Sequence, residues 1–117
     1  MRTILVIDDY LRTLSTLCLI LKGNGYRALD AENAEQAERK FRNNPIDIVL
    51  LDHGLPGIDG AELARQLKQI RDVLVVMLTG NPELKEKPQF VDLLLAKPQE
   101  IPNLLQAIDG LFLADRN

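Results

Sequence analysis

Residues 46 to 60 read IDIVLLDHGLPGIDG. The stretch begins with a short, mainly apolar run, which is typical of a strand buried in a parallel sheet. The run ends at Asp52, and a turn rich in Gly and Pro follows. Charged side chains are rarely buried unless they are paired or bind a metal. Asp52 is therefore either a solvated strand end or part of a site, and the rest of the chain distinguishes the two interpretations.

Short apolar runs alternate with amphipathic segments along the whole chain. Such alternation favours right-handed crossovers and a parallel sheet with helices on both faces. We therefore predict one α/β domain over residues 1–117, with a doubly wound sheet of five parallel strands. The strands are predicted at 3–7, 26–31, 46–51, 73–78 and 93–96, and the helices at 11–22, 34–42, 59–70 and 101–114.

The segment between the fourth and fifth strands differs from the other connections. A regular helix is expected there, and Pro82 could begin one. Pro88 follows too closely for more than a short helix, because proline removes a backbone donor and clashes with the preceding turn. We predict a shortened or irregular fourth helix, or an irregular loop.

Composition excludes several classes of protein. The net charge of −3 and the single cysteine, Cys18, argue against a basic nucleic-acid-binding face and against an internal disulfide. Cys18 lies in a helical run, where we expect it to be a buried apolar residue. No apolar stretch is long enough to span a membrane. We predict a cytoplasmic protein without direct contact to nucleic acid or membrane.

Polar side chains follow four of the predicted strands. Asp8 and Asp9 follow the first strand, Asp52 the third, Thr79 the fourth and Lys97 the fifth. Each residue alone is readily explained as a helix cap or a surface charge. Ligands of open parallel sheets bind outside the carboxyl ends of the strands, so the five residues together predict a site at that edge.

The residue types at this edge indicate phosphoryl chemistry with a metal ion. Three clustered carboxylates repel one another, and Mg²⁺, which prefers oxygen ligands and often shares its shell with a phosphoryl group, would relieve that repulsion. A carboxylate can act as the nucleophile and form an aspartyl phosphate. Lys97 and the Thr79 hydroxyl could then each contact a phosphoryl oxygen.

Four motifs, ILVIDD, IVLLDHGLPGIDG, VVMLTG and AKP, resemble those of the receiver domain of two-component response regulators. The resemblance covers nearly the whole chain and implies the strand order 2-1-3-4-5. It also implies a protein-binding switch, not an enzyme, that catalyses only its own phosphorylation and dephosphorylation. The phosphoryl donor would be a histidine kinase or a histidine phosphotransfer protein, and the downstream target is a protein that the sequence does not identify.

The resemblance assigns a role to each site residue. Asp52 is the phosphoacceptor, and Thr79 and Lys97 contact the phosphoryl group. The Mg²⁺ ligands are Asp8, Asp9, Asp52 and the backbone carbonyl of Gly54. A cis peptide is implied between Lys97 and Pro98.

The chain departs from the family pattern at two places. Leu94 stands where receivers usually carry Tyr or Phe, and the interval from Thr79 to Lys97 is shorter than usual. We therefore predict a non-standard readout. His53 is expected to be an ordinary satisfied or surface histidine, directed away from Asp52. Gly54 and Asn81 occupy positions that tune dephosphorylation in the family, and their small and polar side chains favour an aspartyl phosphate lasting minutes to hours.

Three alternatives are open. A flavodoxin-like cofactor binder would need a phosphate loop rich in Gly, Ser and Thr, whereas DDYLRTLST follows the first strand. A hydrolase with an aspartate nucleophile normally has a second acid where this chain has Gly54. A degenerate receiver, acting as a phosphorylation-independent binding module, is supported by Leu94 and the short segment.

Overall fold

The computed structural model describes residues 1–81, 83–84, 86–97 and 101–115. Every predicted strand and helix is present there, with bounds within two residues of those predicted. The third strand includes Asp52, where the prediction ended it one residue earlier. The elements are β1 Thr3–Ile7, α1 Leu11–Gly23, β2 Arg27–Ala31, α2 Ala34–Asn43, β3 Ile48–Asp52, α3 Gly60–Ile70, β4 Leu74–Thr79, β5 Leu93–Ala96 and α4 Ile101–Asp115.

The five strands form one parallel sheet in the order β2-β1-β3-β4-β5. This confirms the predicted doubly wound sheet and its strand order. The chain leaves β1 toward β2 on one side and returns to β3 on the other. The crevice at this reversal of strand order lies between the carboxyl ends of β1 and β3, which is where open α/β sheets bind ligands.

Two apolar layers cover the sheet. The α2 and α3 helices pack on one face and α1 and α4 on the other, and alternate residues of each central strand enter the two layers. In β3, for example, Val49 and Leu51 belong to the first layer, whereas Ile48 and Leu50 belong to the second. Burial of each such side chain contributes about 1.5–3 kcal/mol, so the strands are held rigidly beneath the site.

Local signals position the helices as predicted. The Asn33 side chain accepts a hydrogen bond from the Gln36 backbone N–H at 2.8 Å, which caps α2. Asp59 caps α3 in the same way through Ala61, at 3.0 Å. Cys18 is buried between the sheet and α1, in the layer that α1 and α4 form, as expected. Burial raises the pKa of its thiol. In the described part of the chain, no helix combines the length and the apolar character needed to cross a bilayer.

The β4–β5 connection contains no helix among its described residues. There the prediction of an irregular loop is correct and that of a shortened or irregular helix is wrong. Pro82, where a short helix could have begun, lies outside the described residues. Two residues anchor the end of the connection to the rest of the domain. Val91 is buried in the α2–α3 layer. Asp92 accepts hydrogen bonds from the Val75 backbone N–H at 2.8 Å and from Lys68 Nζ at 2.6 Å.

Candidate functional site

Three aspartates meet at the reversal of strand order. Because Ile7 is paired with Leu51 in the sheet, the next residues of β1 and β3, Asp8 and Asp52, emerge side by side. One carboxylate oxygen from each of Asp8, Asp9 and Asp52 lies within 4.8 Å of the others. Asp8 is 3% exposed, Asp52 is partly buried and Asp9 is exposed. The structure thus brings together the three acids identified in the sequence.

Asp8 is held in an electrostatically unfavourable position. Its Oδ1 accepts a hydrogen bond from the Tyr10 backbone N–H at 2.9 Å. Burial raises the pKa of Asp8, and the negative charges of Asp52 and Asp9 also raise it, while the Tyr10 N–H and Lys97 act in the opposite direction. A cation between the three acids would remove most of this repulsion.

Lys97 forms an ion pair with Asp52 across the end of β4. Its Nζ donates to Asp52 Oδ1 at 2.6 Å, and the side chain of Asp52 is 11% exposed. The backbone N–H of Lys97 donates to the Thr79 carbonyl at 2.7 Å, which extends the β4–β5 ladder and fixes where the side chain begins. A positive charge is therefore already in place beside the carboxylate. Pro98, and with it the implied cis peptide, lies outside the described residues.

The Thr79 hydroxyl is buried, at 3% exposure, and makes two local contacts. Its Oγ1 accepts from the Asn81 backbone N–H at 3.1 Å and lies 3.1 Å from Nδ1 of His53. The contact with His53 was not predicted from the sequence. The signal for it is strand register: Asp52 is paired with Leu78, so the following residues, His53 and Thr79, fall on the same face of the sheet.

The turn after β3 passes beside the Asp52 carboxylate. A Cβ at Gly54 would lie 3.9 Å from Asp52 Oδ2, and Gly54 itself is exposed, so this side of the carboxylate stays open. Leu55 is buried and anchors the turn, and Gly57 has a φ of +83°, a conformation that glycine adopts without strain. The three clustered carboxylates form an all-oxygen donor set, which fits a hard divalent cation such as Mg²⁺.

Comparison with known proteins identifies the family. The family model for the response regulator receiver domain matches residues 4–109. The phosphate regulon transcriptional regulatory protein PhoB of Pseudomonas aeruginosa is 37% identical over 94 residues, which are 78% of this chain and 41% of that protein. The chain thus spans about two fifths of the length of this curated relative.

Solved structures of receivers share the fold over nearly the entire chain. A response regulator receiver domain protein from Clostridium thermocellum is 28% identical, with a TM-score of 0.90 over 99% of this chain and 98% of its own. The response regulator protein TrrA from Thermotoga maritima, solved in complex with Mg²⁺-BeF, is 30% identical, with a TM-score of 0.86 over 95% of this chain and 99% of its own. The family model, the sequence relative and the shared fold agree, and the chain belongs to the response regulator receiver domain family.

Proposed function

We propose that this domain, in the cytoplasm, accepts a phosphoryl group on Asp52 from a histidine kinase or a histidine phosphotransfer protein. The modified domain then changes its contacts with a downstream protein. The observation that carries the proposal is the environment of Asp52, a partly buried carboxylate that is paired with Lys97 and lies within 4.8 Å of two further acids. Family membership and the TrrA structure with Mg²⁺-BeF support it.

The transfer requires little chemistry from the protein. An Asp52 carboxylate oxygen attacks the phosphorus, the new oxygen–phosphorus bond forms, and the bond from phosphorus to the donor histidine nitrogen breaks with its electron pair remaining on nitrogen. A carboxylate nucleophile has no proton to remove at neutral pH in general, so this chemistry needs no catalytic base. Lys97 Nζ, which donates a hydrogen bond to Asp52 Oδ1, lies where it can offset the negative charge of the incoming phosphoryl group. The Thr79 hydroxyl is the second donor for a phosphoryl oxygen.

Asp8, Asp9, Asp52 and the Gly54 carbonyl would hold Mg²⁺. When bound, Mg²⁺ neutralises negative charge on the phosphoryl oxygens during transfer. The environment of Asp8 supports this assignment. Burial and the two neighbouring acids raise the pKa of Asp8, so ionisation of all three carboxylates is disfavoured without a cation. The resident acids therefore make metal binding and phosphoryl transfer interdependent.

The domain itself would catalyse only the formation and hydrolysis of its own aspartyl phosphate. Gly54 and Asn81 are both exposed and leave access for water, which supports the expected lifetime of minutes to hours. The transcriptional role in the name of the PhoB relative describes a protein of which this chain matches 41%. For the present domain we propose contacts with proteins rather than with nucleic acid.

A second candidate is a degenerate receiver that binds its partner without phosphorylation. Two observations favour it: Leu94 replaces the usual aromatic residue, and the described residues between β4 and β5 contain no helix. The two candidates differ in whether Asp52 is modified.

Incubation with acetyl phosphate, with and without Mg²⁺, followed by intact mass measurement, separates them. We expect a mass increase of one phosphoryl group that requires Mg²⁺ and disappears in Asp52→Asn. Asp72→Asn is the matched control, because it makes the same chemical change at an exposed residue between α3 and β4. Labelling that persists in Asp52→Asn, or no labelling of the folded wild type by acetyl phosphate with Mg²⁺, would contradict the proposal.

A further inference from the structure

His53 is the single histidine of the chain, and it contacts the hydroxyl that the proposed function uses. Its backbone N–H donates to the Leu78 carbonyl at 2.9 Å, so His53 continues the β3–β4 ladder beyond Asp52. The side chains therefore alternate: Asp52 reaches Lys97, whereas His53 reaches Thr79. The ring is only partly buried, and it is attached to a backbone that the sheet holds in place.

A second contact restricts the backbone of His53. The first residue of α3, Gly60, is buried so close to it that a Cβ there would lie 3.4 Å from both the Cα and the carbonyl oxygen of His53, and 3.0 Å from Cε of Met77. These distances leave almost no room between the start of α3 and the end of β3. The orientation of His53 is therefore set from two sides, by the sheet and by α3.

The Thr79 hydroxyl has limited hydrogen-bonding capacity. A hydroxyl has one hydrogen to donate and two lone pairs that accept. One lone pair already accepts the Asn81 N–H. If the hydroxyl hydrogen is directed to His53 Nδ1, it is not available to a phosphoryl oxygen. If Nδ1 carries the hydrogen and donates, the hydroxyl oxygen is held by two donors and is tied to its present position.

We infer that His53 is a positioning residue that holds the Thr79 hydroxyl in the unphosphorylated domain and competes with the phosphoryl group for it. The inference rests on the proposed function, because it requires a phosphoryl group on Asp52. Phosphorylation breaks the contact between His53 and Thr79. The freed His53 side chain then rearranges together with the adjoining start of α3, in a domain where Leu94 replaces the usual aromatic residue.

Nitrogen NMR of the histidine ring tests this directly, since one histidine gives one pair of ring signals. The probe is beryllofluoride with Mg²⁺, at constant pH, and fluorine NMR reports whether it is bound. We expect the Nδ1 signal to move on binding toward its position in unliganded Thr79→Val, in which the contact is absent from the start. A change in the Nε2 signal is not required, so the comparison concerns Nδ1 alone.

The outcomes separate the two proposals. Bound beryllofluoride with an unchanged Nδ1 signal would overturn the role of His53 and leave the proposed function intact. An Nδ1 signal that is the same in wild type and Thr79→Val before any addition would also overturn it. No bound beryllofluoride in the folded domain would overturn the proposed function, and the role of His53 with it.

Two substitutions at His53 give an independent readout. His53→Leu removes the competing partner and leaves the buried Thr79 hydroxyl poorly satisfied at rest, so we expect beryllofluoride to bind about two- to tenfold more tightly. His53→Asn places an amide atom near the position of Nδ1 and should return the affinity to that of the wild type. Equal affinities in wild type and a folded His53→Leu would contradict the inference, as would a failure of His53→Asn to reverse the effect of His53→Leu.

Discussion

Replacing Asp8 by asparagine should stabilise the domain when no divalent cation is present. Asp8 is 3% exposed and lies beside two acids whose oxygens are within 4.8 Å. At this separation, two unit charges repel by about 1 kcal/mol in water and about 3.5 kcal/mol at an effective dielectric constant of 20. Lys97 offsets part of the repulsion, and asparagine can still accept the hydrogen bond from Tyr10. We expect a gain of about 1–2 kcal/mol, or about 4–8 °C in Tm.

Thermal unfolding followed by circular dichroism in EDTA measures this gain, and Mg²⁺ should reverse the ranking. A cation that binds only the folded state at a hundred times its Kd stabilises it by about 2.7 kcal/mol. The wild type should gain this stability and Asp8→Asn very little of it. Asp72→Asn, which removes an exposed negative charge away from the site, should follow the wild type in both solutions. A less stable Asp8→Asn in EDTA, or an equal response to Mg²⁺, would refute the reasoning.

Three further substitutions test the fold around the site by chemical denaturation. Gly110→Ala should stabilise α4 by about 0.5–1 kcal/mol, because no described atom beyond the neighbouring residues and backbone of α4 lies within 4 Å of the added Cβ; a loss would be inconsistent with an open position. Phe90 has a φ of +70°, so Phe90→Gly should be more stable than Phe90→Ala by about 1 kcal/mol, and the reverse order would argue against this backbone conformation. Asp92→Ala should lower the free energy of unfolding by about 2 kcal/mol, because it leaves the Val75 N–H and Lys68 unpaired. Asp92→Asn keeps an acceptor for the Val75 N–H and should cost less. Equal costs would assign the whole loss to the ion pair with Lys68.

Much of the fold follows from the sequence because the strands are buried on both faces. Runs such as 48–51 are apolar throughout, and each is followed by a turn and an amphipathic helix, which leaves few topologies open. The meeting of Asp8 and Asp52 follows for the same reason, since residues at the carboxyl ends of neighbouring parallel strands must lie at one edge. Pro88 correctly predicted that no regular helix joins β4 to β5 in the described part of the chain.

The contacts that the sequence did not predict depend on distance and rotamer rather than on periodicity. Alternation places His53 and Thr79 on one face, but only the three-dimensional structure shows the ring nitrogen 3.1 Å from the hydroxyl. Asp92 joins Lys68, 24 residues away, to the edge of β4, and no local pattern reveals such a pair. The positive φ of Phe90 is likewise invisible in the sequence, because an aromatic residue gives no signal for that conformation.

Reduction of the phosphorylated domain with borohydride tests the role of Asp52 most directly. Borohydride converts an aspartyl phosphate to homoserine, so peptide mass spectrometry shows which of the three clustered acids carried the phosphoryl group. After incubation with acetyl phosphate and Mg²⁺, we predict homoserine at position 52 and unchanged aspartate at positions 8 and 9, and none of this conversion when Mg²⁺ is omitted. Homoserine at position 8 or 9, or no homoserine in a folded, Mg²⁺-loaded sample, would contradict the assignment of Asp52 as the phosphoacceptor.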